Sequence, residues 1–222
     1  RLQAGYVYVV DADLKSYFDT IPKERLLAMV AAKISDSRVL QLIERYLHQS
    51  ILEELREWTP DKGVPQGAVL SPVLANLYLN PLDHQMSQRG YAMVRYADDF
   101  VVLCQTRAEA EAALAEIQQW VTEAGLTLHP TKTRIVDARS ESFAFLGYSF
   151  RRNLRFPREK SHAKIMDRIR ELTPRTSGES LDIICQRLNR SLQGWFTYFR
   201  YCTWNIFKDY DARIRDRLRR LL

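Results

Sequence analysis

The amino-acid sequence predicts an α+β fold. Helices pack on an antiparallel sheet over residues 1–150, and an all-helical domain follows over 151–222. Three observations carry this. Strand-like and helix-like segments intermix up to about residue 150, and the pattern is helical from about residue 157 onward. Two apolar arms within 91–104 flank a short acidic turn, as in a β-hairpin. Charge is divided unevenly: residues 1–150 carry 15 Lys and Arg against 19 Asp and Glu, whereas 151–222 carry 18 against 8.

Taken in order, residues 6–13 are β-branched and aromatic, and their near-continuous apolar run predicts a strand buried on both faces. Pro22 suits the first turn of a helix over 23–34, with Leu26, Leu27, Val30 and Ala31 at helical spacing. Asp36 reads as the N-cap of a helix to about His48, with Val39, Leu40, Ile43 and Leu47 on one stripe. Residues 50–70 are mixed and end in a Gly63–Gly67 loop. Ser71 with Pro72 reads as N-cap plus first-turn proline of a helix to about Gln88. The hairpin follows, with Ala97, Asp98 and Asp99 at its turn. Residues 107–124 form an amphipathic helix that Gly125 stops. Short strands are expected near 127–129, 133–136 and 143–150, then helices at 159–171, 179–191, 193–203 and 207–221.

The composition excludes several classes. With 46% hydrophobic and 27% charged residues the chain is globular rather than disordered. No apolar run approaches the roughly 20 residues that span a bilayer. No apolar leader opens the chain, and a strand begins almost at once, so the segment is expected to start inside a larger polypeptide. Cys104, Cys185 and Cys202 are odd in number and far apart, which fits neither a disulfide framework nor a zinc site and suits a reducing, cytoplasmic setting. His48, His84, His129 and His162 are scattered too, leaving carboxylates as the metal-ligating candidates. A basic block beside a mildly acidic body points to a polyanion held near a cation site, although a solvated helical surface has the same composition.

Asp13 ends the first strand, and Asp98 and Asp99 sit between two strands. An aspartate alone is commonly a turn-former. Three carboxylates at strand ends, however, are costly to enclose without a positive partner. Oxygen-loving divalent ions supply one, Mg2+ being usual where phosphates complete the shell and Mn2+ a substitute. Two such ions about 4 Å apart activate an attacking hydroxyl and stabilise a leaving oxygen in phosphoryl transfer.

Here the residues converge on a family. Tyr96-Ala97-Asp98-Asp99 resembles the Tyr-x-Asp-Asp signature of reverse transcriptases, and the run from Asp13 to Asp19 resembles their first catalytic motif. Gly63 to Gly67 with Ser71-Pro72, Gly125 to Thr133 with Lys132, and Phe145-Leu146-Gly147-Tyr148 resemble the nucleotide-contacting, following palm and primer-grip motifs, in the family's order. Phe18-Asp19 with Ile21-Pro22, and Leu188 to Phe199, resemble the group II intron type and its maturase segment. The plain alternative for that last segment is a core helix with Leu188, Leu192, Trp195 and Phe199 as its packed stripe.

The resemblance implies a palm over 1–150, a helical thumb and maturase domain over 151–222, and RNA-directed DNA synthesis with a role in intron splicing. It implies two metal ions bridged by Asp13 and Asp98, with Asp99 and the Leu14 carbonyl as further ligands. It implies Phe18 beneath the sugar, Gln66 and Gly67 against nucleotide or template, and Lys132 toward the leaving pyrophosphate. Phe145, Leu146 and Gly147 would hold the primer, and Arg187, Arg190 and Arg200 the intron RNA. The implied partners are RNA template, primer, intron RNA and dNTPs, with a DNA target and a homodimer left open and no membrane. Family members carry a basic fingers region before the first motif, and few residues precede Asp13 here, so that region is expected outside these 222 residues. A non-polymerising splicing cofactor and a retron, CRISPR-associated or defence reverse transcriptase are the alternatives. RNA-dependent RNA polymerases share the palm but usually carry Gly-Asp-Asp and a small residue in place of Phe18.

Overall fold

The computed structural model of the chain describes residues 1–53, 56–174, 176 and 178–221. In chain order the first part contains β1 (Tyr8–Asp13), α1 (Tyr17–Thr20), α2 (Lys23–Ala31), α3 (Ser37–Leu47), β2 (Ile51–Glu53), β3 (Arg56–Trp58), α4 (Ser71–Gln88), β4 (Ala92–Tyr96), β5 (Asp99–Cys104), α5 (Arg107–Glu123) and β6 (Arg134–Asp137). The second part contains β7 (Phe143–Phe145), β8 (Tyr148–Arg151), β9 (Leu154–Pro157), α6 (Glu159–Leu172), α7 (Leu181–Phe199) and α8 (Asn205–Arg219). Contacts divide the chain into two compact units, the first ending at Val136 and the second running from Asp137.

The first unit is organised by a four-stranded sheet of order β4-β5-β1-β6. β1 and β5 are antiparallel, so alternate side chains of both point to one face. On that face Val10, Ala12, Phe100, Val102 and Cys104 are buried and join one core with Leu74, Tyr78, Leu79, Leu82 and Met86 of α4 and Ala113, Ile117 and Val121 of α5. Burying each large apolar side chain contributes about 1.5–3 kcal/mol, so this packing dominates the unit. Two buried hydroxyls tie helices together: Tyr17 of α1 donates to the Ala75 carbonyl of α4 at 2.6 Å, and Tyr78 of α4 to the Ala124 carbonyl at the end of α5 at 2.5 Å. Burial also raises the Cys104 thiol to about 12, so it behaves as a small apolar group.

Several expectations hold in detail. Asp36 caps α3, accepting from the Arg38 and Val39 amides. Gly125, at φ +70°, follows the end of α5 as its stop, and Thr106, for which no role was expected, caps its start by accepting from the Glu109 amide. Others are corrected. Pro22 occupies the N-cap of α2 rather than its first turn. Ser71 does not cap α4: Leu70 precedes the helix in helical conformation, and the buried Ser71 hydroxyl instead bonds the Pro65 carbonyl and, at 2.7 Å, the Tyr46 hydroxyl. Asp99 is not in the hairpin turn but opens β5, paired with Tyr96, which leaves Ala97 and Asp98 alone in the loop. Residues 127–129 supply only a bridge between Leu128 and Leu14. The β2–β3 hairpin and β9 were not foreseen.

In the second unit β7, β8 and β9 form an antiparallel sheet of their own. The strand expected over 143–150 is two strands, turned at Leu146 (φ +49°) and Gly147 (φ +77°). The helices expected at 179–191 and 193–203 are one helix, α7, running through Gly194. A glycine inside a helix costs about 1 kcal/mol, which the packing around it exceeds. Trp195 packs its ring against Phe199 and Tyr210, at centroid distances of 4.8 and 4.9 Å. Ile165, Met166, Ile169, Leu188 and Tyr210 make the core beneath, so the apolar stripe of this segment is packed as a core helix is. Among the described residues no helix is long and apolar enough to cross a membrane.

Candidate active site

Asp13 and Asp99 face each other across the β1–β5 ladder. Facing residues share a face of the sheet, about 4.5–5.5 Å apart, and like charges placed there oppose folding. Asp11 lies two positions before Asp13 and therefore on the same face. The segment 127–134 brings cations to both acids. Lys132 Nζ donates to Asp13 Oδ2 at 2.7 Å, and Arg134 Nε lies 3.8 Å from Asp11 Oδ2. Backbone bonds fix this strip beside the end of β1: the His129 amide donates to the Asp13 carbonyl at 2.8 Å, and the Lys15 amide to the Thr127 carbonyl at 2.8 Å. The hydrogen bond to Asp13, and then that carboxylate's charge, hold the Lys132 ammonium above its ordinary pKa; Asp98 and Asp99 act in the same direction from farther away.

Asp98 stands in the turn between β4 and β5, beside Ala97, whose φ of +55° is a conformation that costs a non-glycine residue of order 1 kcal/mol or more. Arg95 holds this turn. Its guanidinium grips Asp83 of α4 bidentately, donates to Asn76 Oδ1 at 2.9 Å and donates to the Ala97 carbonyl at 2.8 Å. The bond to Asp83 is the chief reason its pKa is raised further. Sequence reasoning missed Arg95. The signal was its parity: it faces the buried Phe100, a core-facing position in a strand, where a charge needs a partner.

Phe18 is half-buried at the start of α1, its ring edge-on to Tyr17 at 5.6 Å. The Gly63 loop is laced to it: the Val64 amide donates to the Phe18 carbonyl at 2.7 Å and the Gly63 amide to that of Ile21 at 2.8 Å. Close approach falls on Gly63 rather than Gly67. A Cβ on Gly63 would meet the backbone of Phe18 and Asp19 at 2.8–2.9 Å, whereas one on Gly67 meets nothing within 4 Å. Gln66 Nε2 donates to Asp19 Oδ1 at 2.8 Å, so its amide is already oriented from the α1 side.

Asp13, Asp98 and Asp99 therefore gather at one end of the sheet, with Phe18 on the segment following β1 and Gln66 reaching that segment from the Gly63–Gly67 loop through Asp19. As they stand, no three His, Cys, Asp or Glu side chains among the described residues close around a single point. The donor chemistry nonetheless fits a hard divalent ion, because the cluster offers only carboxylate and carbonyl oxygens and already draws a cation to Asp13.

In the second unit the Leu146-Gly147 turn is locked from α6 and α7. Tyr198 donates to the Leu146 carbonyl at 2.7 Å, and the Arg158 amide and Ser161 hydroxyl donate to the Gly147 carbonyl at 2.8 and 3.2 Å. Phe145 is buried. Arg187 pairs with Glu179 at 2.7 Å, and Arg200 stacks on the Tyr201 ring at 4.9 Å. Arg190 is exposed and lines a shallow hollow with Arg168 and Arg187.

Residues 1–150 match the family model described as reverse transcriptase (RNA-dependent DNA polymerase), and residues 162–222 match that of the group II intron maturase-specific domain. An uncharacterised 91 kDa protein in the cob intron of Schizosaccharomyces pombe is 28% identical over 215 residues, 69% of this chain and 27% of that protein. The group II intron-encoded protein LtrA of Lactococcus lactis is 39% identical over 79 residues, 36% of this chain and 13% of that protein. The chain thus spans well under half the length of these relatives. Telomerase from Candida albicans, solved with a telomeric RNA fragment, shares the fold with a TM-score of 0.59 at 13% identity, over 87% of this chain and 39% of that one.

Proposed function

The chain belongs to the reverse transcriptase family and carries a match to the group II intron maturase-specific domain, and from that premise we propose that it copies RNA into DNA and aids splicing of an intron RNA. The observation that carries this reading is the facing of Asp13 and Asp99, with Asp98 in the adjoining turn. The reaction joins a primer 3′ oxygen to the α-phosphate of a dNTP and releases pyrophosphate. Asp13 and Asp98 would hold two Mg2+ ions, with Asp99 and the Leu14 carbonyl as further ligands. Bound there, the ions supply activation of the hydroxyl and neutralisation of phosphate charge. The protein's own share is positioning, since phosphoryl transfer asks for little covalent work. The sheet aligns the carboxylates, Arg95 holds the turn, and Gln66 and Gly67 flank nucleotide and template. Lys132 meets the charge of the leaving pyrophosphate, and Phe145, Leu146 and Gly147 hold the primer. By function we divide the chain into a palm, 1–150, and a thumb and maturase domain, 151–222.

The test is primer extension on an RNA template with dNTPs and Mg2+, in the natural polypeptide that carries these residues. DNA product is expected, and a polypeptide that binds template and primer yet makes none overturns the polymerase reading. Phe18 would lie beneath the sugar and leave no room for a 2′-hydroxyl. Phe18→Ala is expected to raise ribonucleotide use on the order of tenfold, read as the ratio of kcat/KM for rNTP and dNTP; an unchanged ratio assigns the ring to packing alone.

The maturase activity rests on the charge of residues 151–222, 18 Lys and Arg against 8 Asp and Glu. Structured RNA is bound mainly through phosphates and 2′-hydroxyls, because its major groove is too deep and narrow to read. Arg187, Arg190 and Arg200 contribute to that surface. Affinity of the whole chain for intron RNA is expected to fall at least about a hundredfold between 50 and 500 mM salt. Salt-independent binding would remove the electrostatic basis of the reading.

A further inference from the structure

Lys132 has a place in this site beyond meeting pyrophosphate. Asp13 and Asp99 are fixed opposite each other by the ladder, and Asp98 adjoins Asp99. Such a cluster resists folding unless a cation neutralises it. In the structure the Lys132 ammonium lies 2.7 Å from Asp13 Oδ2, and Arg134 stands beside Asp11 on the same face. The Lys132 backbone is anchored to β1 by the His129 amide bond to Asp13 and to residue 129 itself by the Thr133 amide at 3.1 Å. Its side chain, by contrast, is 62% exposed and free to swing outward. The lysine is held near by its backbone and held in place only by the ion pair.

We infer that Lys132 is a placeholder cation: it occupies Asp13 until a divalent ion displaces it, and so sets the affinity of the site for metal. An ammonium on Asp13 Oδ2 takes one lone pair of that carboxylate and repels a divalent ion bound to it, so metal binds best in the fraction of molecules in which Lys132 has left. Apparent affinity is lowered by that fraction. An exposed ion pair biases the equilibrium modestly, which puts the effect at roughly two- to fivefold. Lys132 is then a positioning residue for metal entry.

This inference rests on the reading of Asp13 as a metal ligand, and the experiment separates the two. Mn2+ is titrated into the whole chain without nucleotide or nucleic acid, and free Mn2+ is followed by electron paramagnetic resonance for the wild type, Asp13→Asn, Lys132→Gln, Lys132→Met and Lys132→Arg. Asp13→Asn is expected to remove the tightest site; retention of that site overturns the metal reading. Lys132→Gln and Lys132→Met are expected to bind Mn2+ roughly two- to fivefold more tightly, with Lys132→Arg near the wild type. If Asp13→Asn loses the site while both neutral variants bind no more tightly than the wild type, the placeholder role is overturned and the metal reading stands. Thermal melts give a second readout. Lys132→Gln is expected to melt below the wild type in EDTA and to gain more than the wild type from saturating Mn2+; equal gains overturn the placeholder role.

Discussion

Replacing Asp98 by Asn is expected to lower primer extension at least about a hundredfold while template binding and melting temperature stay near wild type. The substitution keeps the side-chain volume and the two-residue loop but removes a full negative charge from the point where the proposed reaction would hold its two cations. A loss of roughly 3 kcal/mol of transition-state stabilisation follows, the scale of one strong preorganised electrostatic group. Asp13→Asn is expected to match it in rate but to differ in stability. Asp13 is already paired with Lys132 and faces Asp99, so its neutralisation also relieves like-charge repulsion. Extension at the wild-type rate by Asp98→Asn, in single-turnover assays with saturating Mg2+, would remove Asp98 from the reaction.

The second large effect is structural and falls outside the acidic cluster. Gly63→Ala is expected to destabilise the first unit by about 2–5 kcal/mol, the sum of a left-handed backbone penalty and backbone overpacking. Gly63 has φ +92°, and the new methyl would sit 2.8 Å from the Phe18 carbonyl oxygen and 2.9 Å from Asp19 backbone atoms, none of which is the flexible end of a side chain. The loop cannot move away without breaking the Gly63–Ile21 and Val64–Phe18 hydrogen bonds, so Phe18 and Gln66 move with it. Gly67→Ala is the matched control. Its φ is +78°, but nothing lies within 4 Å of the added carbon, so only the backbone penalty of about 1–2 kcal/mol applies. Urea or thermal denaturation that ranks the two variants equally would show that the close approach at Gly63 is not a constraint.

Much of the site could be read along the chain because its parts are local. The strand ending in Asp13, the cap at Asp36, the stop of α5 and the hairpin carrying Asp98 all depend on residues within a few positions of one another. The misreadings have the opposite character. Ser71 has the chemistry of an N-cap, yet its hydroxyl is taken by Pro65 and Tyr46, the latter 25 residues away. Two helices parted at residue 192 are expected, yet Trp195 and Phe199 pack well enough to carry one helix through. Glycines 63 and 67 look alike in the loop, and only the fold shows which one lies against another backbone.

The order of motifs, the apolar run that buries both faces of β1 and the basic character of the last third were set by the sequence alone, because propensity, periodicity and charge act over a few residues and need no partner. Which side chain meets which was decided by tertiary structure. Arg95 reaches Asp83 and the Ala97 carbonyl, and Lys132 reaches Asp13 from 119 positions away, because sheet register and helix packing bring distant segments within hydrogen-bond range. Such pairings leave no periodic trace, since a hydrogen bond depends on separation in space and not on separation along the chain.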